Sequence, residues 1–190
     1  MADRPTPQSA GAFTRGLGAF LLRLSGFHLE GEYPAHLAKY VMIVAPHTSN
    51  WDFVVGLFAK WALGLRARFL AKHTLFRFPL GTFLRWWGGM PIRRHAAGGV
   101  VPDAVEAFRE NESLCVVITP EGTRSKAAWK SGFYRIAHEA GVPIVCVAFD
   151  YPKRAIRFHP PFWPIGDYEQ DLPKLQACFS SEMALHPENY

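Results

Sequence analysis

The chain predicts a single α/β domain, a largely parallel central sheet flanked by helices, and three observations carry that expectation. Short apolar runs rich in valine, isoleucine and alanine, the pattern of strands buried on both faces, alternate with segments whose apolar residues recur at helical spacing. The 190 residues make one domain's worth of chain and show no internal repeat. Apolar residues account for 49% and charged residues for 19%, so a sizeable core can form and intrinsic disorder is excluded except at the ends.

Taken in order, residues 1–11 are polar and proline-containing and are expected to be loose, leaving 12–190 as the domain. Over 13–24, Phe13, Leu17, Phe20, Leu21 and Leu24 share a helical face that excludes Arg15 and Arg23. This amphipathic helix can lie on a membrane surface or pack on the domain. Residues 27–32 alternate like an edge strand, and 40–45 read as a buried strand stopped by Pro46. Ser49 or Asn50 can cap a helix over 51–63, because a short polar side chain accepts from the free amides of a first turn. Further strands are expected at 67–71, 90–92, 113–119 and 142–149, with helices over 80–87, 100–110 and 132–140 between them. An edge strand at 155–158, a loop marked by Pro160, Pro161 and Pro164, and a terminal helix over 172–185 complete the reading.

Several functional classes fall away on composition. No stretch approaches the roughly 20 apolar residues of a spanning helix, and no cleavage site follows the apolar segment 16–22, so a cytoplasmic protein is expected. Cys115, Cys146 and Cys178 are too scattered for a disulfide framework or a zinc set, and no metal site is expected. Cys115 and Cys146 lie in buried runs, where a thiol acts as a small hydrophobe. The net charge of +5 is local: residues 53–102 hold no acid but eight cations, Lys60, Arg66, Arg68, Lys72, Arg77, Arg85, Arg93 and Arg94. Aromatic residues such as Phe53, Trp61, Phe78 and Trp86 are interleaved with them, which suits an anionic membrane surface or a nucleic-acid strand. Composition alone does not choose between the two.

Two loops carry the chemistry, each at the carboxyl end of a buried strand, where open α/β sheets gather their ligand sites. The first is 46–52, with His47 and Asp52 five residues apart. On a continuous helix that spacing turns the two side chains apart. They meet only if His47 lies in the turn and Asp52 in the first helical turn behind it, where the helix dipole favours an anion. A carboxylate on one imidazole nitrogen fixes the tautomer and leaves the other nitrogen as a base. The second loop is 120–125, in which Gly122 permits a tight turn and Arg124 offers a planar fork for phosphate or carboxylate.

Together these residues resemble the glycerolipid acyltransferase family, whose best-known members acylate lysophosphatidic acid or glycerol 3-phosphate. His47 and Asp52 look like its His-x4-Asp pair, and Lys72 with Phe78, Pro79 and Gly81 resembles its second block. Residues 120–125 are similar to its glutamate-glycine-threonine-arginine block and 142–147 to its fourth, so the likeness spans 37–149. The chain departs from the family in having Arg93 before Arg94, where an acid is common, and Cys146 where a proline stands.

The resemblance implies an acyltransferase-like fold with no bound cofactor. It implies acyl transfer from acyl-coenzyme A or acyl carrier protein to a lysophospholipid hydroxyl, with 1-acylglycerol 3-phosphate or another lysolipid, such as a lyso-aminolipid, as acceptor. His47 would be the base and Asp52 its orienting partner. Arg124 and Lys72, with Arg94, would hold the acceptor phosphate, while Glu121 orients the arginine or the acceptor, Gly122 shapes the loop and Thr123 completes the block. The implied partners are the inner face of the membrane, approached peripherally, and the lysolipid, with no nucleic acid. A non-catalytic lipid-surface module and a nucleic-acid binder are the rival readings.

Overall fold

The computed structural model describes residues 11–92 and 100–190. Arg94 and residues 1–10 of the expected loose terminus lie outside them. Among the described residues seven strands form one sheet: β1 (His28–Glu30), β2 (Lys39–Ala45), β3 (Ala67–Lys72), β4 (Gly89–Ile92), β5 (Leu114–Ile118), β6 (Ile144–Asp150) and β7 (Ala155–Phe158). Their order is β1-β7-β6-β2-β5-β3-β4. The five strands from β6 to β4 run parallel, β7 is antiparallel to β6, and β1 is parallel to β7. Among the same residues six α-helices connect or flank them: α1 (Ala12–Leu24), α2 (Trp51–Leu63), α3 (Leu80–Trp86), α4 (Val101–Glu110), α5 (Gly132–Ala140) and α6 (Tyr168–Gln176).

Because β2 is central and covered on both sides, its side chains alternate between two apolar cores. Val41, Ile43 and Ala45 pack with α4, α5 and Leu175 of α6. Tyr40, Met42 and Val44 pack with Leu22 of α1 and with Val55 and Ala59 of α2. The helices α1 and α2 touch at Gly18, where an added Cβ would collide with the Ala62 amide and the Trp61 side chain. That contact turns the Gly18 and Leu22 side of α1 inward. It leaves the apolar stripe outside: Phe13 is 84%, Phe20 62% and Leu24 72% exposed.

Two expectations need correction. The strand at 155–158 is not an edge: β1 pairs with its far side in parallel register, His28 opposite Ala155, and takes the edge itself. The terminal helix starts earlier and stops sooner than 172–185. Asp167 caps α6 by accepting from the Gln170 amide at 3.1 Å, and the chain leaves the helix after Gln176 for two short 3-10 turns, Ser181–Met183 and Pro187–Asn189. Apolar residues beyond Gln176 continue the helical spacing by packing from a non-helical path: Phe179 joins the α4/α5 core.

Parallel pairing of β2 with β5 sets Ile43 opposite Ile118, and pairing with β6 sets Ala45 opposite Ala148. The chain segments after these three strands therefore emerge side by side at one edge of the sheet.

Candidate active site

Of the two expected caps, Asn50 stands at the cap position of α2 without a side-chain cap bond, while the Oγ of Ser49 just before it accepts the Trp51 amide at 3.1 Å. Asn50 is used differently, since its Oδ1 accepts from Arg124 Nη1 and ties the second loop to the head of α2. With the helix started at Trp51, Asp52 falls in its first turn and is only 3% exposed. Its Oδ2 lies 3.0 Å from His47 Nδ1 and accepts the Thr48 and Ser49 amides at 2.9 Å each. Its Oδ1 accepts the Tyr151 hydroxyl at 2.7 Å. A carboxylate receiving donors on both oxygens can only accept from the ring, so Nδ1 carries the proton and Nε2 is left as the basic nitrogen.

His47 and Asp52 border a cavity of 250 Å³ between α2 and the sheet, whose walls include Met42, Val44, Phe53, Leu57, Phe69 and Val147. The walls are apolar apart from the pair itself and a few groups such as Lys60. Lys60 Nζ donates to the Trp87 carbonyl, and burial pulls its ammonium below the usual range.

Glu121, two residues beyond Thr119 in the second loop, is 4% exposed, and neither carboxylate oxygen has a hydrogen-bond partner among the described residues. Burial raises its pKa to about 7, the nearby Asp52 charge adds to the rise, and the imidazole of His47 and the amides of Glu121 and His47 draw it back. Glu121 also borders a second, open cleft of 680 Å³ shared with Lys126, Trp129, Ser180 and Tyr190. A carboxyl group titrating near neutrality thus sits beside His47, between an apolar cavity and a more polar cleft.

The structure brings His47, Asp52 and Glu121 together. It does not join Glu121 to Arg124, whose partner is Asn50. Gly122 has the expected left-handed backbone, φ +64°, and its amide closes the turn onto the Thr119 carbonyl at 3.0 Å. Thr123 Oγ1 accepts the Ser125 amide within the loop at 3.4 Å. Lys72 ends β3, in register with Ile92 of β4 at the same edge of the sheet.

Two contributors were absent from the sequence reading. Tyr151 follows β6 directly and reaches Asp52 across the paired strands. The C-terminal segment holds the site from outside: the His186 amide donates to Thr48 Oγ1 at 3.2 Å and the Tyr151 amide to the Met183 carbonyl at 2.9 Å. A tyrosine after a buried strand carries no motif, and backbone contacts from a tail leave no trace in residue types.

Comparison with known proteins gives the family. The family model described as Acyltransferase matches residues 27–150, a span that holds both loops, and the chain belongs to that family. Among solved structures it is similar to the crystal structure of the 1-acyl-sn-glycerophosphate (LPA) acyltransferase PlsC from Thermotoga maritima. The two share 21% identity over 85% of this chain and 73% of that one, with a TM-score of 0.58. No curated protein sequence matches the chain.

Proposed function

We propose that the protein transfers a fatty acyl group from a thioester, acyl-coenzyme A or acyl carrier protein, to the hydroxyl of a lysophospholipid, with 1-acylglycerol 3-phosphate as the first acceptor to test. The observation that carries this reading is the His47–Asp52 pair at the border of an apolar cavity. In the reaction, His47 Nε2 takes the hydroxyl proton as the oxygen attacks the thioester carbonyl. Asp52 stabilises the imidazolium, the carbon–sulfur bond breaks, and the proton passes to the departing thiolate. An ester and a free thiol result, and no acyl-enzyme is required. The cavity suits an acyl chain, because its walls are mostly apolar and the chain brings no polar group to leave unpaired. Arg124 and Lys72, with Arg94, are the proposed phosphate holders, a fork and point charges of the right sign.

Membrane docking is the second part of the proposal. Among the described residues no helix is long and apolar enough to cross a membrane. The outward stripe of α1 and the exposed Phe78, Leu80, Phe83 and Trp86 supply apolar insertion, and Arg15, Arg23, Arg77 and Arg85 beside them in sequence supply attraction to anionic lipid. The imidazole oriented by a buried carboxylate favours catalysis over the rival nucleic-acid and lipid-module readings, neither of which uses such a pair.

The deciding experiment measures thiol release from acyl-coenzyme A with and without 1-acylglycerol 3-phosphate, for wild type and His47→Ala. The expected result is acceptor-dependent release that falls by about 10²- to 10⁴-fold in the variant. Wild-type rates in a folded His47→Ala protein would overturn the mechanism.

A further inference from the structure

We infer that Tyr151 is a positioning residue of the catalytic pair, which holds Asp52 through Oδ1 and sets how strongly that carboxylate draws on His47. The inference rests on the acyl-transfer reading only for its kinetic consequence.

Asp52 has two oxygens with separate tasks. Oδ2 serves the local turn, receiving the Thr48 and Ser49 amides and facing His47 Nδ1, all within five residues of sequence. These contacts fix one edge of the carboxyl group and leave rotation about χ2 to be settled by the other. Tyr151 settles it: its hydroxyl meets Oδ1 at 2.7 Å, a charge-assisted bond from a residue 99 positions away. The phenol is itself held at both ends. Its ring stands edge-on to Phe27, centroids 5.2 Å apart at 84°, and its amide is bonded to the Met183 carbonyl at 2.9 Å. A donor on two anchors, reaching one oxygen of a carboxylate whose other oxygen orients the base, is the geometry of an outer support that fixes orientation and charge together.

The chemistry of the donor suits the role. Burial, with the Asp52 hydrogen bond and charge behind it, pushes the Tyr151 phenol well above its usual range, while Arg154 opposes this weakly. The hydroxyl therefore stays protonated throughout the working pH range. By donating to Oδ1 it spreads the carboxylate's charge and moderates its pull on the imidazole. Loss of the donor frees Asp52 to turn about χ2, which misplaces the base and lowers turnover, and it leaves the carboxylate a stronger partner for the imidazolium, so His47 holds its proton to higher pH.

Among the described residues the other charged or titratable groups around the pair are few. Glu121 faces it from the segment after β5. Arg124 reaches Asn50 at the head of α2, and Lys60 lies near the far end of that helix. Arg154 acts from the turn before β7, and the C-terminal segment brings His186, paired with Glu188 at 3.5 Å, and Tyr190. None of them donates to Oδ1 of Asp52, so the Tyr151 bond is the one whose loss changes that oxygen directly.

Tyr151→Phe keeps the ring and removes the donor. The expected result is a fall in kcat of roughly tenfold, the scale of one hydrogen bond to a charged group, with KM little changed and the acidic limb of kcat/KM moved to higher pH. Nuclear magnetic resonance of the imidazole protons, with the His47 signal assigned by its absence in His47→Gln, should show the same upward displacement without any substrate. Site-specific 3,5-difluorotyrosine at 151, a stronger donor of nearly the same shape, should move both titrations to lower pH and serves if the phenylalanine variant folds poorly. Lowered thermal stability with both titrations unmoved, or displacement of the same sign for the two replacements, would overturn the inference. A wild type without His47-dependent thiol release would sink the acyl-transfer reading, while the resonance titration would still decide the role of Tyr151.

Discussion

Replacing Asp52 by alanine removes the acceptor for four donors at once: the Thr48 and Ser49 amides, the His47 ring and the Tyr151 hydroxyl. A buried donor left unpaired costs about 1–3 kcal/mol. Thr48 is 6% exposed, so its amide bears that cost in full, whereas the Ser49 amide, the His47 ring and the Tyr151 hydroxyl lie nearer to solvent and bear less. The expected loss is about 2–5 kcal/mol in all, out of the roughly 5–15 kcal/mol that holds an ordinary domain together.

Asparagine behaves differently. Its carbonyl oxygen can take the place of Oδ2 and keep three donors, while its NH₂ meets the Tyr151 oxygen, which can accept. Asp52→Asn should therefore remain close to wild type in stability and lose the charge that stabilises the imidazolium, with a severe but incomplete loss of turnover. Urea unfolding followed by tryptophan fluorescence separates the two, the midpoint moving at constant m, and thiol release reads the activity. An alanine variant as stable as wild type would refute the hydrogen-bond accounting. An asparagine variant at full rate would refute the electrostatic role.

Three further outcomes are expected. Arg124→Lys should raise KM for a phosphate-bearing acceptor about tenfold or more while leaving donor KM nearly unchanged, because an ammonium cannot reproduce the fork; the reverse pattern in initial-rate kinetics would assign Arg124 to the donor. Glu121 has a folded-state pKa raised from 4.5 to about 7, so the native state binds the extra proton and wild-type stability should fall as pH rises from about 4.5 to 7. Glu121→Gln should remove that slope and gain up to about 3 kcal/mol over wild type at pH 8, as denaturant titrations at pH 4 and pH 8 would register; equal slopes would place the carboxyl in water. Wild type should sediment with anionic but scarcely with neutral vesicles, since each cation near the surface contributes about 1 kcal/mol, and Leu17→Glu with Phe20→Glu should abolish binding while short-chain soluble substrates are still turned over; a double variant that binds as before would free α1 of the anchoring role.

What the sequence made legible follows from how local each feature is. The His47–Asp52 pair could be found because its spacing makes sense only across a strand end and a helix start, both marked by nearby residues, Pro46 and Ser49. Glu121 could be placed near it because a glycine turn after an apolar run marks the carboxyl end of a buried strand. Tyr151 could not, since its position beside Asp52 depends on β6 lying next to β2, and side-chain periodicity says nothing about which strands become neighbours. The partner of Arg124 was missed for the same reason: Asn50 is 74 positions away. For α6 the sequence signal is Asp167 followed three residues later by Gln170, a helix-start pattern, while the apolar spacing continues past the point where the chain turns away. The stripe of α1 was visible, but its direction was not; only the close crossing at Gly18 decides which side faces α2.

The central place of β2 has a consequence for the birth of the protein. Lys39 finds its partner Leu114 75 positions later, and Val41 finds Ile144 103 positions later. At a synthesis rate of about 5–20 residues per second, β2 leaves the ribosome roughly 4–15 s before β5 can cover one of its sides, and the side meant for β6 stays bare longer still. In that interval it is a run of seven residues, KYVMIVA, with β-branched and aromatic side chains and both backbone edges open, the kind of segment that pairs with other chains. The strand that delivers His47 to its place is thus also one in need of shelter during synthesis, and the yield of soluble protein should rise when holding chaperones are supplied in excess.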